Sequence, residues 1–333
     1  MDAKITKERL SRMLSYDWLK IVGAAVAAIL VWSLVFTVSA TRITPAQQFT
    51  AINYFGNVGA MNTKFSETMN SAYNNGVFSY EVIELTEVDV GGNAEYGSTL
   101  METRVATSEG DVVFVPNIIN EEISYELNGE KVYDTYVQTL VRHYGYALMN
   151  LNPEKEDGFF KSMERYVNHY YDGDYKNGTL DETVVRKDFL ARIEKNKDKR
   201  FKKSADIEKG VKDEVVRIQK YRDALVEFYG YIDSGLVQFE TTTVLDYETY
   251  AKDGTMFYND IYTINLCPNS DTMPKLKDVV AYMQTVESEE GETQNLLCAD
   301  NMHVALMKFD DVEEGFQYES LLYVNYVIRV SKA

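Results

Sequence analysis

The sequence predicts an α/β fold: a globular domain that follows one membrane-spanning helix. Three observations predict it: an uncharged apolar run near the N-terminus, alternating strand-like and helical segments after it, and a long helical stretch in the middle. The domain opens in the order strand, helix, strand, helix, strand. That order predicts a parallel sheet whose crossover connections are right-handed. We therefore expect an N-terminal transmembrane helix followed by an α/β domain with a helix-rich middle.

The apolar run extends from Ile21 to Ala40 and reads IVGAAVAAILVWSLVFTVSA, with no charged residue. Twenty residues of helix span about 30 Å, which matches the hydrocarbon core of a bilayer. We predict a cytoplasmic tail over residues 1–20 and a transmembrane helix over 21–41. The lipid bilayer is thus the first predicted partner of the chain.

Charge around this run predicts its orientation. Residues 1–20 hold five basic and three acidic side chains, whereas Arg42 is the one basic residue close behind the run. The positive-inside rule then places the N-terminus in the cytoplasm and the C-terminal domain outside the cell membrane. The alternative is a cleaved signal peptide, since 38–40 reads VSA, although the apolar run is longer than a usual signal core.

Composition excludes one class of partner. The net charge is −18, and residues 1–20 contribute +2, so the rest of the chain carries −20. A domain with this much negative charge repels the phosphate backbone of nucleic acids, so we expect no binding to nucleic acid.

The opening of the domain alternates between strands and helices. Strand-like composition predicts strands over residues 47–55 and 78–88, and apolar residues spaced three to four apart predict helices over 62–72 and 98–107. The apolar run DVVFV at 111–115 is typical of an interior strand that is covered on both faces.

The middle of the chain is predicted to be helical and the end mixed. Helical spacing covers residues 133–149, 161–171, 182–196 and 206–233. Strands follow at 239–247 and 257–266, then a short helix at 273–283, a strand at 302–309, and a last segment at 313–330 for which helix and strand both stay open.

The segments FSYEVIELTEV and TSEGDVVFVPN, with the helix between them, resemble the N-terminal lobe of type II periplasmic binding proteins. These are the extracellular solute-binding proteins of bacterial importers. The resemblance implies an extracytoplasmic domain over 46–333, with lobe 1 at about 46–118 plus part of 239–333, and a helix-rich lobe 2 at about 131–235. It also implies solute capture for an ABC-type importer, with a membrane permease as partner.

Two departures from that family keep an alternative open. The chain is shorter than most members, and both tryptophans, Trp18 and Trp32, lie at or inside the apolar run, so neither can stack on a solute. The alternative is a structural or protein-interaction module of a bacterial cell surface that has the same fold and no small-molecule ligand.

Candidate ligand-binding residues follow from strand order. In open parallel sheets, ligands bind beyond the carboxyl ends of the strands. That rule brings Tyr54, Gly56 and Asn57 after the first strand close to Pro116 and Asn117 after the third. An aromatic ring and side-chain amides suit a ligand site, so Tyr54, Asn57 and Asn117 are our candidates. The alternative is that they are ordinary turn residues.

The chain has two cysteines, Cys267 and Cys298. Outside the cell they could form a disulfide that closes a loop of about 32 residues and stabilises the fold by roughly 3–4 kcal/mol. Two buried free thiols are the equal alternative.

The sequence carries no catalytic or metal-binding motif. HExxH, GxSxG, P-loop and GxGxxG patterns are missing, and the acidic segment at 172–184 departs from a calcium loop at Lys176 and Val184. We predict no catalytic residue, no metal and no cofactor. A hydrolase that uses two of the many carboxylates stays open, because such pairs need no motif.

Overall fold

The computed structural model describes residues 7–8, 11, 18–39, 47–58, 63–80, 82, 84–91, 94–127, 129–198, 200–245, 256–287, 293–308 and 315–332. The chain divides into two compact units, Met1–Thr44 and Pro45–Ala333.

The first unit contains helix α1 (Trp18–Ser39), and its side chains are exposed along the helix where the structure describes them. The span Trp18–Thr37 is long and apolar enough to cross a membrane. A signal sequence near the N-terminus can meet the same criteria of length and composition. The helix covers the predicted span up to Ser39, whereas Ala40 and most of the predicted tail lie outside the described residues.

The second unit is built on a six-stranded mixed sheet with the strand order β2-β1-β3-β10-β7-β6. Strand β1 is parallel to β2 and β3, and the remaining neighbours are antiparallel. Two hairpins, β4–β5 and β8–β9, lie beside it. The strands are β1 (Gln48–Gly56), β2 (Glu84–Gly91), β3 (Val112–Pro116), β4 (Ile119–Leu127), β5 (Glu130–Thr135), β6 (Gln238–Leu245), β7 (Met256–Asn265), β8 (Tyr282–Glu287), β9 (Thr293–Cys298) and β10 (Met302–Leu306).

Helices cover both faces of this sheet. They are α2 (Thr63–Asn74), α3 (Ala94–Ala106), α4 (Tyr136–Tyr144), α5 (Phe159–Tyr170), α6 (Glu182–Lys195), α7 (Ser204–Asp233), α8 (Leu276–Val279) and α9 (Glu319–Ser331). A short 3₁₀ helix, Gly145–Ala147, extends α4.

Side-chain alternation along the strands divides the core in two. On β3, Val112 and Phe114 face the larger core, which includes residues of α2, α5, α7 and α9, while Val113 and Val115 face the smaller one with α3 and α4. This is the period-two pattern of a strand buried on both faces. The prediction of an interior strand at 111–115 is confirmed.

Most other elements lie where the sequence predicts them, and the opening order of three strands and two helices is confirmed. Three predictions were wrong in detail. The second strand covers 84–91 instead of 78–88, residues 119–135 form an unpredicted hairpin, and the helix predicted at 273–283 is limited to Leu276–Val279 and followed by β8. The last segment is a helix. Residues 62, 246–247, 309 and 313–314, at the ends of predicted elements, lie outside the described residues.

The predicted two-lobed arrangement is not confirmed. Residues 45–333 form one compact unit. Phe160 and Phe228 of the helical middle belong to the same core as Phe49 and Val112 of the sheet. The helical middle thus packs on the sheet, since its apolar faces find their partners there.

Candidate functional site

A cavity of about 400 Å³ opens at the carboxyl ends of β1 and β2, a volume within the range of small-molecule sites. Its wall is formed by the ends of strands β1 and β2, by helix α3, by strand β4, by helix α4 and by the 3₁₀ turn after α4. The lining residues are Tyr54, Gly56, Val90, Gly97, Ser98, Glu102, Asn120, Glu122, Ile123, Tyr136, His143, Tyr144 and Tyr146.

The floor of the cavity is aromatic and its rim is polar. Tyr136 and Tyr144 are buried, and the ring of Tyr54 lies edge-on to that of Tyr144, with 6.3 Å between their centroids. The acidic side chains Glu102 and Glu122 line the cavity from exposed positions. A solute in this cavity would therefore contact tyrosine rings at the floor and the carboxylates of Glu102 and Glu122 at the opening.

Two irregularities in strand pairing form the wall. In β1 the register with β2 shifts between Tyr54 and Gly56. In β4 the shift is larger: Ile119 pairs with Thr135 and Ser124 with Tyr133, so five steps along β4 face two along β5. Such bulges redirect side chains. The bulge in β4 contains three lining residues, Asn120, Glu122 and Ile123.

Gly56 lets the chain pass close to the ring of Tyr136. Its φ is +50°, and a Cβ at this position would lie 2.7 Å from Cε1 of Tyr136 and 3.4 Å from Oε2 of Glu122. Only glycine satisfies both the backbone conformation and the lack of space.

A capping box places Tyr136 at the first turn of α4. The amide of Gln138 donates to the Thr135 hydroxyl (3.1 Å), and the amide of Thr135 donates to the Gln138 side-chain oxygen (2.8 Å). The Gln138 side-chain amide also donates to the carbonyl of Thr243 on β6 (2.9 Å). This network satisfies N–H groups of the helix start and ties α4 to the sheet.

Asn120 links the bulge in β4 to α4. It is buried, its amide donates to the Thr139 hydroxyl (3.3 Å), and its side-chain oxygen accepts from the amide of Glu122 (3.1 Å). The bulge therefore holds Glu122 at the cavity through its backbone.

Glu102 and Glu122 act electrostatically on the tyrosines of the cavity. Burial, with Glu122 nearby, raises the pKa of Tyr136 to about 12, and burial with Glu102 does the same for Tyr144. Burial also raises the pKa of the Glu122 carboxyl. Among the lining residues that the structure describes, none is lysine or arginine.

His143 and Arg142 do not offset these carboxylates. Burial, then the charge of Arg142, lowers the pKa of His143, so its imidazole is neutral at pH 7. Arg142 itself donates to both carboxylate oxygens of the buried Asp134, at 2.7 and 3.1 Å. Its charge is thus compensated away from the lining.

The structure places the three predicted ligand residues differently. Tyr54 lines the cavity. Asn57 has an exposed side chain, and its backbone amide hydrogen-bonds the Tyr136 hydroxyl. Asn117 is not among the lining residues. Its backbone N–H donates to the backbone carbonyl of Asn301 (2.9 Å). Sequence reasoning missed Glu102, Glu122 and Tyr136. The Thr135–Gln138 spacing was the available signal for Tyr136.

Both cysteines are free thiols in the structure. Cys267 is buried, and burial raises the pKa of its thiol to about 11, whereas Cys298 is partly exposed. Their pairing in a disulfide stays a prediction.

A second group of carboxylates lies in the core, away from the cavity. Asp111 is buried and accepts from the amide of Thr50 at 2.7 Å. Burial raises its pKa to about 8, and Glu319 adds to the rise. Glu319 is itself buried and accepts hydrogen bonds from Ser79 and Tyr221. These acids connect core elements and do not face the solvent.

Comparison with protein-family models, curated proteins and solved structures finds no match to this chain.

Proposed function

We propose that this chain captures a small solute in the cavity at the carboxyl ends of β1 and β2. The cavity is the single observation that carries the proposal. It includes the carboxyl end of β1, one of the two strand ends at which strand order predicts a ligand, and it has the volume and mixed lining of a small-molecule site.

The wall of the cavity supports a specific role. Two interruptions of regular pairing form it: the shift in β1, where Gly56 has a positive φ, and the bulge in β4. Irregularities of this kind recur beside binding sites, where they direct side chains toward a ligand. A sheet whose only task was stability would gain more from continuous pairing.

The second part of the proposal concerns location. Helix α1 acts as an uncleaved anchor, residues 1–20 lie in the cytoplasm, and the unit with the cavity lies outside the cell. The apolar helix and the basic residues before it support this orientation. A solute held at the outer face would then pass to a membrane permease, as the resemblance to importer binding proteins implies.

A ligand screen tests solute capture. The full-length chain, purified in maltoside detergent, is heated with sugars, amino acids, short peptides, organic acids and amines in turn. We expect at least one class to raise the melting temperature, because a ligand that binds the folded state stabilises it. The stabilisation should disappear in Tyr54→Leu and persist in Tyr73→Leu, an exposed tyrosine on α2 that is not among the lining residues. A screen in which no class shifts the transition would refute solute capture.

Protease digestion of intact cells tests the orientation. With an epitope tag at the C-terminus, added protease should remove the tag and leave an N-terminal fragment of the chain in the membrane. A tag protected in intact cells and digested only after lysis would place the cavity in the cytoplasm and overturn this part of the proposal.

A protein-interaction role is the second candidate, and one observation favours it. On the β8–β9 hairpin, Met283, Leu296 and Leu297 are 38%, 50% and 51% exposed. Met283 and Leu297 pair across the hairpin and Leu296 lies on its other face, and exposed apolar side chains on a surface ribbon are typical of protein contacts. A photo-reactive amino acid at Leu296 should crosslink a membrane partner in cells without added solute if this role is the main one, and should give no discrete product if it is not.

A further inference from the structure

We infer that the solute is an organic cation, a molecule with an ammonium group on a small apolar body. This inference rests on the proposed function and names the ligand class of the same cavity. Its basis is the pairing of an aromatic floor with an acidic rim.

The buried part of the lining, which we call the floor, consists largely of tyrosine rings. Tyr136 and Tyr144 are 3% and 5% exposed, and Tyr54 packs against Tyr144. Tyrosine rings attract cations through their negative faces, and they exclude water from the apolar part of a solute. Tyr146, which is 66% exposed, adds a ring at the opening.

The rim supplies negative charge from two sides. Glu102 acts on Tyr144 from helix α3, and Glu122 acts on Tyr54 and Tyr136 from the bulge in β4. The described lining contains no lysine or arginine, and His143 is neutral at pH 7. An anionic solute would meet two carboxylates without a compensating cation, whereas an ammonium group would compensate them.

The chain as a whole favours the same class of ligand. Its net charge is −18, which raises the local concentration of cations near the surface. This field carries no specificity. It adds to the rate at which a cation reaches the cavity, and salt should weaken it.

A pair of matched probes tests the charge. Choline and its uncharged carbon isostere, 3,3-dimethylbutan-1-ol, have nearly the same shape, so a difference in their affinity reports the positive charge. Putrescine serves as a primary amine probe. With the full-length chain in maltoside detergent, calorimetry should give at least fivefold tighter binding of choline or putrescine than of the isostere, from one favourable cation–π or ion-pair contact of about 1 kcal/mol.

Substitutions assign the effect to the cavity. Glu102→Gln and Glu122→Gln should each weaken binding of the cation at least threefold and leave the isostere unchanged. Glu126→Gln is the matched control, because it lies on the same strand as Glu122, is exposed and is not among the lining residues. Tyr54→Phe should retain binding of the cation, since the ring remains, and Tyr54→Leu should lose it.

The outcomes separate the two proposals. If the isostere binds as tightly as choline, or if the Gln variants leave binding of the cation unchanged, the inference is overturned. If only a neutral or anionic solute binds, and Tyr54→Leu abolishes that binding, the cation is excluded while solute capture stands. If no solute binds, both fail. Binding of the cation that depends on Glu102 and Glu122 supports both.

Discussion

Replacing Gly56 by alanine probes the cavity wall directly. Gly56 has φ +50°, and Gly76, at the end of α2, has φ +63°. A Cβ on Gly56 would lie 2.7 Å from Cε1 of Tyr136, whereas a Cβ on Gly76 would meet nothing within 4 Å. The two substitutions therefore share the backbone strain, and the clash is found only at Gly56.

The magnitudes follow from these two terms. A left-handed conformation destabilises alanine by about 1–2 kcal/mol, which is the whole effect expected at Gly76. Forcing a methyl group into a packed site adds about 1–3 kcal/mol. We expect Gly56→Ala to lower the free energy of unfolding by about 2–5 kcal/mol, and Gly76→Ala by about 1–2 kcal/mol. Displacement of the Tyr136 ring from the floor of the cavity should also weaken the binding of any ligand there.

The assay is urea unfolding of the full-length chain in maltoside detergent. Near-ultraviolet circular dichroism of the tyrosines reports tertiary packing, since α1 stays helical in the micelle. A Tyr136→Leu background supplies the decisive control. Without the ring, the penalty of Gly56→Ala should fall to that of Gly76→Ala. Equal penalties for the two alanines in the wild-type background would refute the contact between Gly56 and Tyr136.

Three further predictions concern charge and thiols. Asp134→Ala leaves Arg142 half-buried without its carboxylate and should lower the free energy of unfolding by about 3–5 kcal/mol in urea titrations. In the folded state burial raises the pKa of Asp111 from 3.8 to about 8. Between pH 3.8 and pH 8 the folded state therefore keeps a proton on Asp111 that the unfolded state has lost, and the free energy of unfolding falls as the pH rises. The free energy of unfolding of the wild type should fall by about 1.4 kcal/mol per pH unit from pH 5 to 7 relative to that of Asp111→Asn. A difference between the two proteins that stays constant over this range would contradict the raised pKa. Maleimide labelling without reductant should modify Cys298 well before Cys267, because Cys267 is buried and its thiol stays protonated. Labelling of neither cysteine until reductant is added would instead indicate a disulfide.

Local periodicity accounts for the elements that the sequence predicts well. The run at 112–115 is apolar throughout because both faces of β3 are covered. The helix predicted at 206–233 is observed as Ser204–Asp233, since a long helix with one buried face repeats its apolar spacing many times. In both cases the signal lies within the element itself.

Burial removes that signal from the last helix. In α9 the residues from Glu319 to Ile328 are all buried, so the helix has no polar face and its spacing shows no period. Its β-branched and aromatic residues equally suit a strand. The helix forms because it packs against α7 and α2 in the core, a contact between segments far apart in the sequence.

The residues of the candidate site also differ in whether local sequence patterns predict them. Tyr54 can be located from strand order alone, because the rule for parallel sheets requires only the end of β1. Glu122 cannot, because it reaches the cavity through a bulge whose extra residues are defined by pairing with β5. A bulge interrupts the alternation from which a strand is recognised, so residues 119–127 gave no strand prediction.

Regular patterns in this chain therefore locate the core, while departures from them build the cavity. In β1 the lining residue Tyr54 stands next to the register shift with β2, and in β4 the lining residues Asn120 and Glu122 stand inside the bulge. Substitutions on the rim, such as Glu122→Gln, should consequently alter affinity with little change in stability, whereas Asn120→Ala should alter both, because its buried amide joins the bulge to α4.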